Sequence, residues 1–111
     1  MPPIPQAARA IIDLRKIENY CLSPTHPRGR HKARVFREVF GLEQDDAQWL
    51  RKALLEGLPR SEAVEFAHDD FGVRFRVDVG LARQSKHGVV RTIWIIRSGE
   101  TVPRFVTCWV V

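Results

Sequence analysis

The sequence has 111 residues, which is enough for one domain with a single hydrophobic core. Its content of 44% hydrophobic and 28% charged residues is ordinary for a soluble globular protein. No apolar run reaches the about 18 residues that a membrane-spanning helix needs. The net charge of +5 favours a polyanionic partner. Residues 1–5 lack the features of a signal peptide, so we expect a cytoplasmic protein with no membrane partner.

The order of the predicted elements divides the chain into an arm and one domain. Residues 1–8 are rich in proline and predict an extended arm, and residues 9–111 predict a single globular domain. Within the domain, helical patterns over residues 9–58 precede an antiparallel sheet over residues 61–111. Three helices packed on about four twisted antiparallel strands form an α+β fold.

The three helices have recognisable starts or ends. Asp13 is placed to cap a first helix over residues 14–22. The second helix is expected over residues 31–40 and ends at Gly41, a residue that favours the left-handed turn after a helix. The third covers residues 45–58, with acidic residues in its first turn, where the helix dipole favours negative charge.

Beyond residue 61, short apolar runs separated by turn residues predict four strands. In the second strand, apolar and charged residues alternate, so one face is expected in the core and the other in water. In the last strand, Phe105, Thr107 and Trp109 are expected on one side. The predicted strands cover residues 62–68, 73–79, 89–96 and 104–110, with turns at residues 69–72, 85–88 and 98–100.

The most unusual stretch is residues 26–37, called the basic segment below. It contains five Lys/Arg, two His and no acid, and the other basic and acidic side chains cancel at 13 each. The segment therefore carries the whole net charge. A basic turn that leads into a helix N-terminus is suited to bind a phosphate. Four of its residues are predicted to bind substrate: Arg28, Gly29, Arg30 and His31.

Two residue types in the basic segment have catalytic potential. Lys32 falls on the apolar side of the second helix, so its amine either extends past Phe36 into water or enters a cleft at the edge of the core. His26 lies on a loop beside proline, has no apolar context, and can act as a general base or acid. His31 can do the same, or it simply starts the helix.

Arg91 is the second candidate, because a charge in the middle of a central strand must be paired or meet a ligand. Its partner is either a carboxylate such as Asp78 or Glu65, or an anionic ligand held on the sheet. Thr107, on the neighbouring strand, can donate a hydroxyl to the same anion, although threonine is also common in strands for packing reasons.

The cysteines and histidines do not predict a metal site or a cofactor. Cys21 and Cys108 are too few for a metal cluster and are expected to be buried free thiols. The histidines show no spacing typical of metal ligands, and His68 and His87 lie beside predicted turns.

These groups suit RNA cleavage without a metal. A base removes the proton from a ribose 2′-hydroxyl, which attacks the adjacent phosphate; an acid protonates the leaving 5′-oxygen; and cations stabilise the phosphoryl oxygens. His26 or His31 with Lys32, Arg91 and Thr107 can supply these roles. Composition does not separate this activity from passive phosphate binding.

Four segments together resemble a small bacterial family and the C-terminal toxin domains of contact-dependent inhibition and other polymorphic toxins. Those domains belong to the barnase–EndoU–colicin–RelE group of metal-independent ribonucleases. The segments are Tyr20-Cys-Leu-Ser-Pro-Thr-His26-Pro-Arg-Gly29-Arg-His-Lys32-Ala-Arg-Val-Phe36, then Phe71-Gly72-x-Arg-Phe-x-Val-Asp78, then Val90-Arg91-Thr92-x-Trp94-Ile-Ile96, then Pro103-Arg104-Phe-Val-Thr107.

The resemblance spans roughly residues 10–110 and implies helices on a twisted antiparallel sheet, with an active site on the sheet face. It also implies a small acidic antitoxin or immunity-like partner. The loop here is richer in Arg and His than in the toxin domains. The positions carried over are His26, Gly29, Lys32, Arg91, Thr92, Trp94 and Thr107.

The leading hypothesis is therefore a metal-independent, toxin-like endoribonuclease acting on RNA, with tRNA as one candidate. His26, Lys32, Arg91 and Thr107 are its predicted catalytic residues, and Thr92 and Trp94 join the substrate-binding set. The alternatives are a non-catalytic RNA-binding module and an interaction protein that pairs with a small acidic partner.

Overall fold

The protein is described here by a computed structural model, which covers residues 2–111. Three helical segments precede four strands, as the sequence predicts. Short 3₁₀ turns lie at Ala7–Arg9, Gln44–Asp46 and Leu58–Arg60. The main elements are α1 (Leu14–Lys16, continued by a π-helical turn at Ile17–Cys21), α2 (Arg30–Phe40), α3 (Ala47–Gly57), β1 (Ala63–Asp69), β2 (Gly72–Arg83), β3 (Lys86–Arg97) and β4 (Arg104–Val110).

The four strands form one antiparallel sheet in the order β1-β2-β3-β4, so every neighbouring pair is a hairpin or a short connection. The α+β fold with a four-stranded antiparallel sheet is confirmed. The turn between β2 and β3 is present but lies at residues 84–85 rather than 85–88, because Gln84 adopts a left-handed conformation (φ 58°) and the strands pair up to Arg83 and Lys86. This longer β2–β3 hairpin forms the centre of the sheet.

The core lies between the helices and one face of the sheet. The 3.6-residue spacing of Phe36 and Phe40 on α2 places both rings inward, and Leu50 and Leu54 do the same on α3. The opposing residues on the sheet are fully buried, since alternation brings every second side chain to the same face. They are Val77, Val79, Val90, Trp94, Phe105 and Cys108.

The N-terminal residues belong to this core. Ile4 is only 1% exposed, and the N–H of Ala63 donates to the carbonyl of Pro2 at 3.1 Å. The prediction of a separate extended arm over residues 1–8 is therefore wrong for residues 2–8, while Met1 lies outside the described residues. The burial of Ile4 and Ala7 contributes to the free energy that offsets the ordering of this segment.

The segment that contains α1 runs along the outer edge of β4. Ile11 exchanges backbone hydrogen bonds with Pro103 and Phe105 at 3.0 and 2.9 Å, and the amine of Lys16 donates to the Phe105 carbonyl at 3.0 Å. Asp13 caps α1 as predicted, its carboxylate accepting from the N–H of Arg15 at 3.0 Å. The chain from residue 11 to residue 21 thus lies beside β4.

A β-bulge in β4 changes the direction of its side chains. Trp94 pairs with Phe105 but Ile93 pairs with Thr107, so Val106 is the extra residue. Phe105 is buried against the helices, whereas Thr107 lies on the side of Ile93. The prediction that Phe105, Thr107 and Trp109 share one side is therefore wrong, because the inserted residue reverses the alternation.

No helix in the described part of the chain is long and apolar enough to cross a membrane.

Candidate functional site

The amine of Lys32 lies at the centre of a polar cluster at the free edge of β4. Its Nζ donates to the Thr107 Oγ1 at 3.2 Å and to the Tyr20 hydroxyl at 3.3 Å. Lys32 comes from the first turn of α2, Tyr20 from the π-helical turn and Thr107 from β4. We call Tyr20, His26, Lys32, Thr107 and Trp109 the lysine cluster.

Two aromatic rings lie close to this amine, and a third packs against one of them. The Nζ lies 4.7 Å from the centroid of the Tyr20 ring and 5.2 Å from that of Trp109, distances that permit cation–π attraction. The His26 ring meets the Tyr20 ring edge to face, with centroids 4.7 Å apart and an interplanar angle of 82°. The rings therefore hold the amine in place while leaving its charge uncompensated.

The charge of Lys32 has no carboxylate partner among the described residues. An ammonium group has three N–H donors, and two of them are used by Tyr20 and Thr107. The Tyr20 hydroxyl accepts from Lys32, so its own proton remains available to another acceptor, whereas the Thr107 hydroxyl also lies 3.8 Å from the Cys21 Sγ. The third N–H of Lys32 and the hydroxyl proton of Tyr20 are donors suited to an oxyanion.

His26 is held in a defined tautomer by the basic turn. Its Nδ1 accepts from the backbone N–H groups of Arg28 and Gly29, each at 3.0 Å, so the proton of the neutral ring is on Nε2. The N–H of His26 donates to the Ser23 hydroxyl at 3.1 Å, which ties the turn to the end of the π-helical segment. Through Nε2, His26 is a hydrogen-bond donor in this arrangement.

Gly29 allows a close packing contact that the sequence did not reveal. It is buried, and a Cβ at this position would overlap the carbonyl oxygen of Tyr20. The absence of a side chain lets the basic turn pack directly on the backbone of the π-helical segment. The expectation that Gly29 binds substrate is thus replaced by a role in bringing His26 and Lys32 to Tyr20.

The remaining predicted residues of the basic segment are exposed at its surface. Arg28, Arg30 and His31 make no ion pair or side-chain hydrogen bond within residues 2–111. His31 lines a pocket of about 430 Å³ together with Lys32, Val35, Trp109 and Val110. On the other side of α2, Arg30 and His31 border a second cavity of about 410 Å³ with Arg34 and Arg37.

Arg91 is not part of the lysine cluster. Its guanidinium forms a two-pronged pair with Asp78, with Nε–Oδ1 at 2.9 Å and Nη2–Oδ2 at 3.0 Å. The hydrogen bond from Arg91 lowers the pKa of the Asp78 carboxyl below its ordinary range. Arg91 lies opposite Trp109 in the β3–β4 register, yet its charged group turns toward β2. Of the two alternatives, the ion pair with Asp78 is the one observed.

Thr92 and Trp94 are fully buried beneath the helices. The Trp94 Nε1 donates to the Thr92 hydroxyl at 2.7 Å, and that hydroxyl donates to the Val77 carbonyl at 2.6 Å. These two hydrogen bonds give every polar atom of both side chains a partner inside the core. Their assignment as substrate-binding residues is not supported by this placement, because neither side chain reaches the surface.

The two cysteines are buried free thiols, as predicted. Cys21 Sγ lies 3.8 Å from the Thr107 Oγ1. A hydrogen bond from Cys108, with smaller contributions from Thr107 and the charge of Lys32, lowers the pKa of Cys21 to about 7, whereas burial raises the pKa of Cys108. Within residues 2–111, no group of three His, Cys, Asp or Glu side chains is arranged to hold a metal ion.

Sequence reasoning did not assign a role to Tyr20 or Trp109, both of which contact the Lys32 amine. For Tyr20, a signal was present in the family pattern, which begins at that residue. For Trp109, the bulge at Val106 shifts the strand register between Phe105 and Thr107, and the sequence pattern did not predict this shift.

The family Domain of unknown function (DUF6883) matches residues 3–111, and the chain belongs to it. Neither the curated proteins nor the proteins of solved structure contain a match to this chain.

Proposed function

We propose that this member of the DUF6883 family is a metal-independent, toxin-like endoribonuclease. The observation that carries the proposal is the unpaired ammonium of Lys32, held by Tyr20 and Thr107 at 3.3 and 3.2 Å on an open edge of the sheet. An uncompensated cation with donors around it is a site for an anion, and the neighbouring positive turn favours a polyanion. The resemblance to the barnase–EndoU–colicin–RelE group supports the choice of RNA as that polyanion.

In this proposal the scissile phosphate binds with its non-bridging oxygens at the Lys32 ammonium and at the hydroxyl proton of Tyr20, while Thr107 holds the ammonium in position. Negative charge builds on those oxygens as the 2′-oxygen attacks, so donors that are already in position lower the barrier. Arg28 and Arg30 are exposed beside the site and suit contacts to flanking phosphates.

Proton transfer is assigned to residues with free donor or acceptor atoms. His31 makes no side-chain hydrogen bond within residues 2–111, and it shares a pocket with Lys32, so it is placed to take the 2′-hydroxyl proton. The P–O5′ bond breaks as the P–O2′ bond forms, giving a 2′,3′-cyclic phosphate. The leaving 5′-oxygen takes a proton from water, the hydroxide left behind is neutralised by the proton that His31 releases, and Lys32 stays charged throughout. His26 contributes its Nε2–H as a hydrogen bond to the phosphate.

A second candidate is an RNA-binding module without catalytic activity. It is favoured by two observations: the Nδ1 of His26 is occupied by two backbone donors, and Arg91 is neutralised by Asp78. Such a module would bind RNA with strong salt dependence and leave it intact.

The exposed arginines of α2 suit a third role, which is compatible with the first. Arg30, Arg34 and Arg37 border one cavity, and their positive charge is complementary to an acidic antitoxin or immunity-like protein. An RNA substrate such as tRNA and an inhibitor of this kind both favour action in the cytoplasm.

The test is an assay of RNA cleavage in the presence of EDTA. We expect the protein to cut tRNA and to leave 2′,3′-cyclic phosphate and 5′-hydroxyl ends, whereas RNA with a 2′-deoxy nucleotide at the cut site stays intact. Lys32→Met should reduce the rate at least about a hundredfold, the usual loss when a positioned donor to the transition state is removed.

Lys52→Met is the matched control, because Lys52 is an exposed helical lysine that pairs only with Glu56 at 3.9 Å. Equal cleavage by wild type and Lys32→Met would remove the enzyme proposal. Binding that Lys32→Met weakens, with no cleavage by any variant, would establish the non-catalytic module instead.

A further inference from the structure

The pocket beside the lysine cluster differs in chemistry from the cluster itself. Val35 from α2 and Trp109 and Val110 from β4 give it apolar walls, while Lys32 and His31 lie at its rim. Its volume of about 430 Å³ is large enough for one nucleobase and its sugar. An apolar slot directly beside an unpaired cation is suited to a ligand with an aromatic part and a phosphate.

We infer that this pocket is a nucleobase subsite, in which the base next to the bound phosphate stacks on Trp109. The inference deepens the proposed function and rests on it, because it takes the phosphate to lie at Lys32. It identifies the substrate class as single-stranded or looped RNA. A base inside a duplex has both faces covered by its neighbours and cannot offer one to Trp109.

The position of the Trp109 ring supports stacking. It is half-buried, and the Lys32 amine 5.2 Å from its centroid restrains it, so little side-chain freedom remains to be lost when a base binds. The aliphatic side chains of Val35 and Val110 would cover the edge of the base away from water.

The lining also predicts weak selectivity among bases. None of the five lining side chains is Arg, Asn, Gln, Asp, Glu, Ser or Thr, and the one lysine, Lys32, is assigned to the phosphate, so no lining residue of these base-reading types is left for the base edge. Stacking on an aromatic ring is tolerant of sequence, since every base has a π face. His31 is the one side chain at the rim able to exchange neutral hydrogen bonds with the base.

The experiment measures binding of a ligand that cannot be cleaved, so it does not depend on activity. We compare the affinity for 2′-deoxy trinucleotides that carry a base at the central position with the affinity for the same trinucleotides that carry an abasic site there. Wild-type protein should bind the base-containing form about tenfold more tightly, the gain typical of one stacked base. The preference should vary less than about threefold among the four bases, as stacking without edge recognition implies.

Trp109→Ala should bring the ratio of base-containing to abasic affinity to about one, while Trp109→Phe should keep most of it, since phenylalanine still offers a ring. Trp49→Phe is the control. It also simplifies the fluorescence, because Trp94 is fully buried and Trp109 then becomes the tryptophan that a ligand can quench. Because Trp49 does not line this pocket, quenching in the Trp49→Phe protein measures ligand binding to an unaltered pocket.

The outcomes separate this inference from the enzyme proposal. Wild-type affinities that are equal for base-containing and abasic ligands, or no binding of either, would overturn the subsite even if tRNA is cleaved. A tenfold preference that Trp109→Ala removes would sustain the subsite even if no cleavage occurs, and the chain would then be a binding module.

Discussion

The Nζ of Lys32 and the Oγ1 of Thr107 lie 3.2 Å apart although 75 positions separate the residues in the sequence. This contact joins the first turn of α2 to the free edge of β4. Thr107 follows the bulge at Val106, which pairs it with Ile93 and removes it from the buried face that holds Phe105. Trp109 follows the same shifted register and pairs with Arg91.

Replacing Thr107 by valine tests this contact with almost no change in shape. We expect RNA affinity, and cleavage if it occurs, to fall about tenfold, because a hydrogen bond to a charged group is lost. Thr107→Ser should retain most of the function. The melting temperature reports folding in parallel, and a Thr107→Val protein that binds and cleaves RNA like the wild type would show that the hydroxyl has no role at the site.

Gly29→Ala should destabilise the protein and weaken RNA binding together. The new methyl group overlaps the Tyr20 carbonyl, so the basic turn must move away from the π-helical segment; the expected cost is about 1–3 kcal/mol, typical of overpacking. Gly80→Ala is the matched control, since no atom lies within 4 Å of the added Cβ there. Denaturant unfolding of both variants gives the comparison, and equal stabilities would contradict the close approach described for Gly29.

Thr92→Val should reduce the free energy of unfolding by about 1–3 kcal/mol, because it leaves the buried Trp94 Nε1 without an acceptor. Thr92→Ser keeps the hydroxyl and should cost less. Fluorescence of the folded protein and chemical denaturation measure these effects. Neither substitution should alter RNA affinity at a temperature where both variants are folded; a selective loss of affinity would revive the role in substrate binding that burial argues against.

The pair of Arg91 and Asp78 should stabilise the fold without contributing to catalysis. Arg91→Met is expected to change cleavage or RNA affinity by less than about twofold, the usual range for a surface position away from a site. A loss of cleavage or RNA affinity as large as that caused by Lys32→Met would instead show that Arg91 is a functional residue. RNA cleavage and binding titrations at matched salt measure the effect.

The same pair makes a small part of the stability depend on pH. Because Arg91 holds the pKa of Asp78 below its ordinary value of 3.8, the charged carboxylate stabilises the folded state above that value. The contribution disappears as the pH falls through the lowered pKa in the folded protein. Asp78→Asn should therefore melt below wild type at neutral pH, and the gap should close in strong acid. A gap that persists there would assign the effect to packing.

Much of the architecture was predictable because its causes are local. Asp13 caps α1, Gly41 ends α2 in a left-handed turn (φ 68°), and the alternation from Val73 to Val79 gives β2 one buried face. Each of these signals is contained in a few neighbouring residues. The candidate site was predictable only in part: the sequence singled out His26, Lys32 and Thr107, but it predicted neither the hydrogen bond between Lys32 and Thr107 nor the contact of His26 with the Tyr20 ring.

By itself, the sequence determined the α+β order of elements, the concentration of positive charge before α2, and the burial of both thiols. Only the tertiary structure decided that Arg91 pairs with Asp78 rather than a ligand, that Ile4 and Ala7 enter the core, and that Thr107 contacts Lys32. The physical reason is the separation along the sequence over which each interaction acts. Periodicity, caps and charge act over one or two turns of chain, whereas strand register and the bulge in β4 depend on how all the elements pack together.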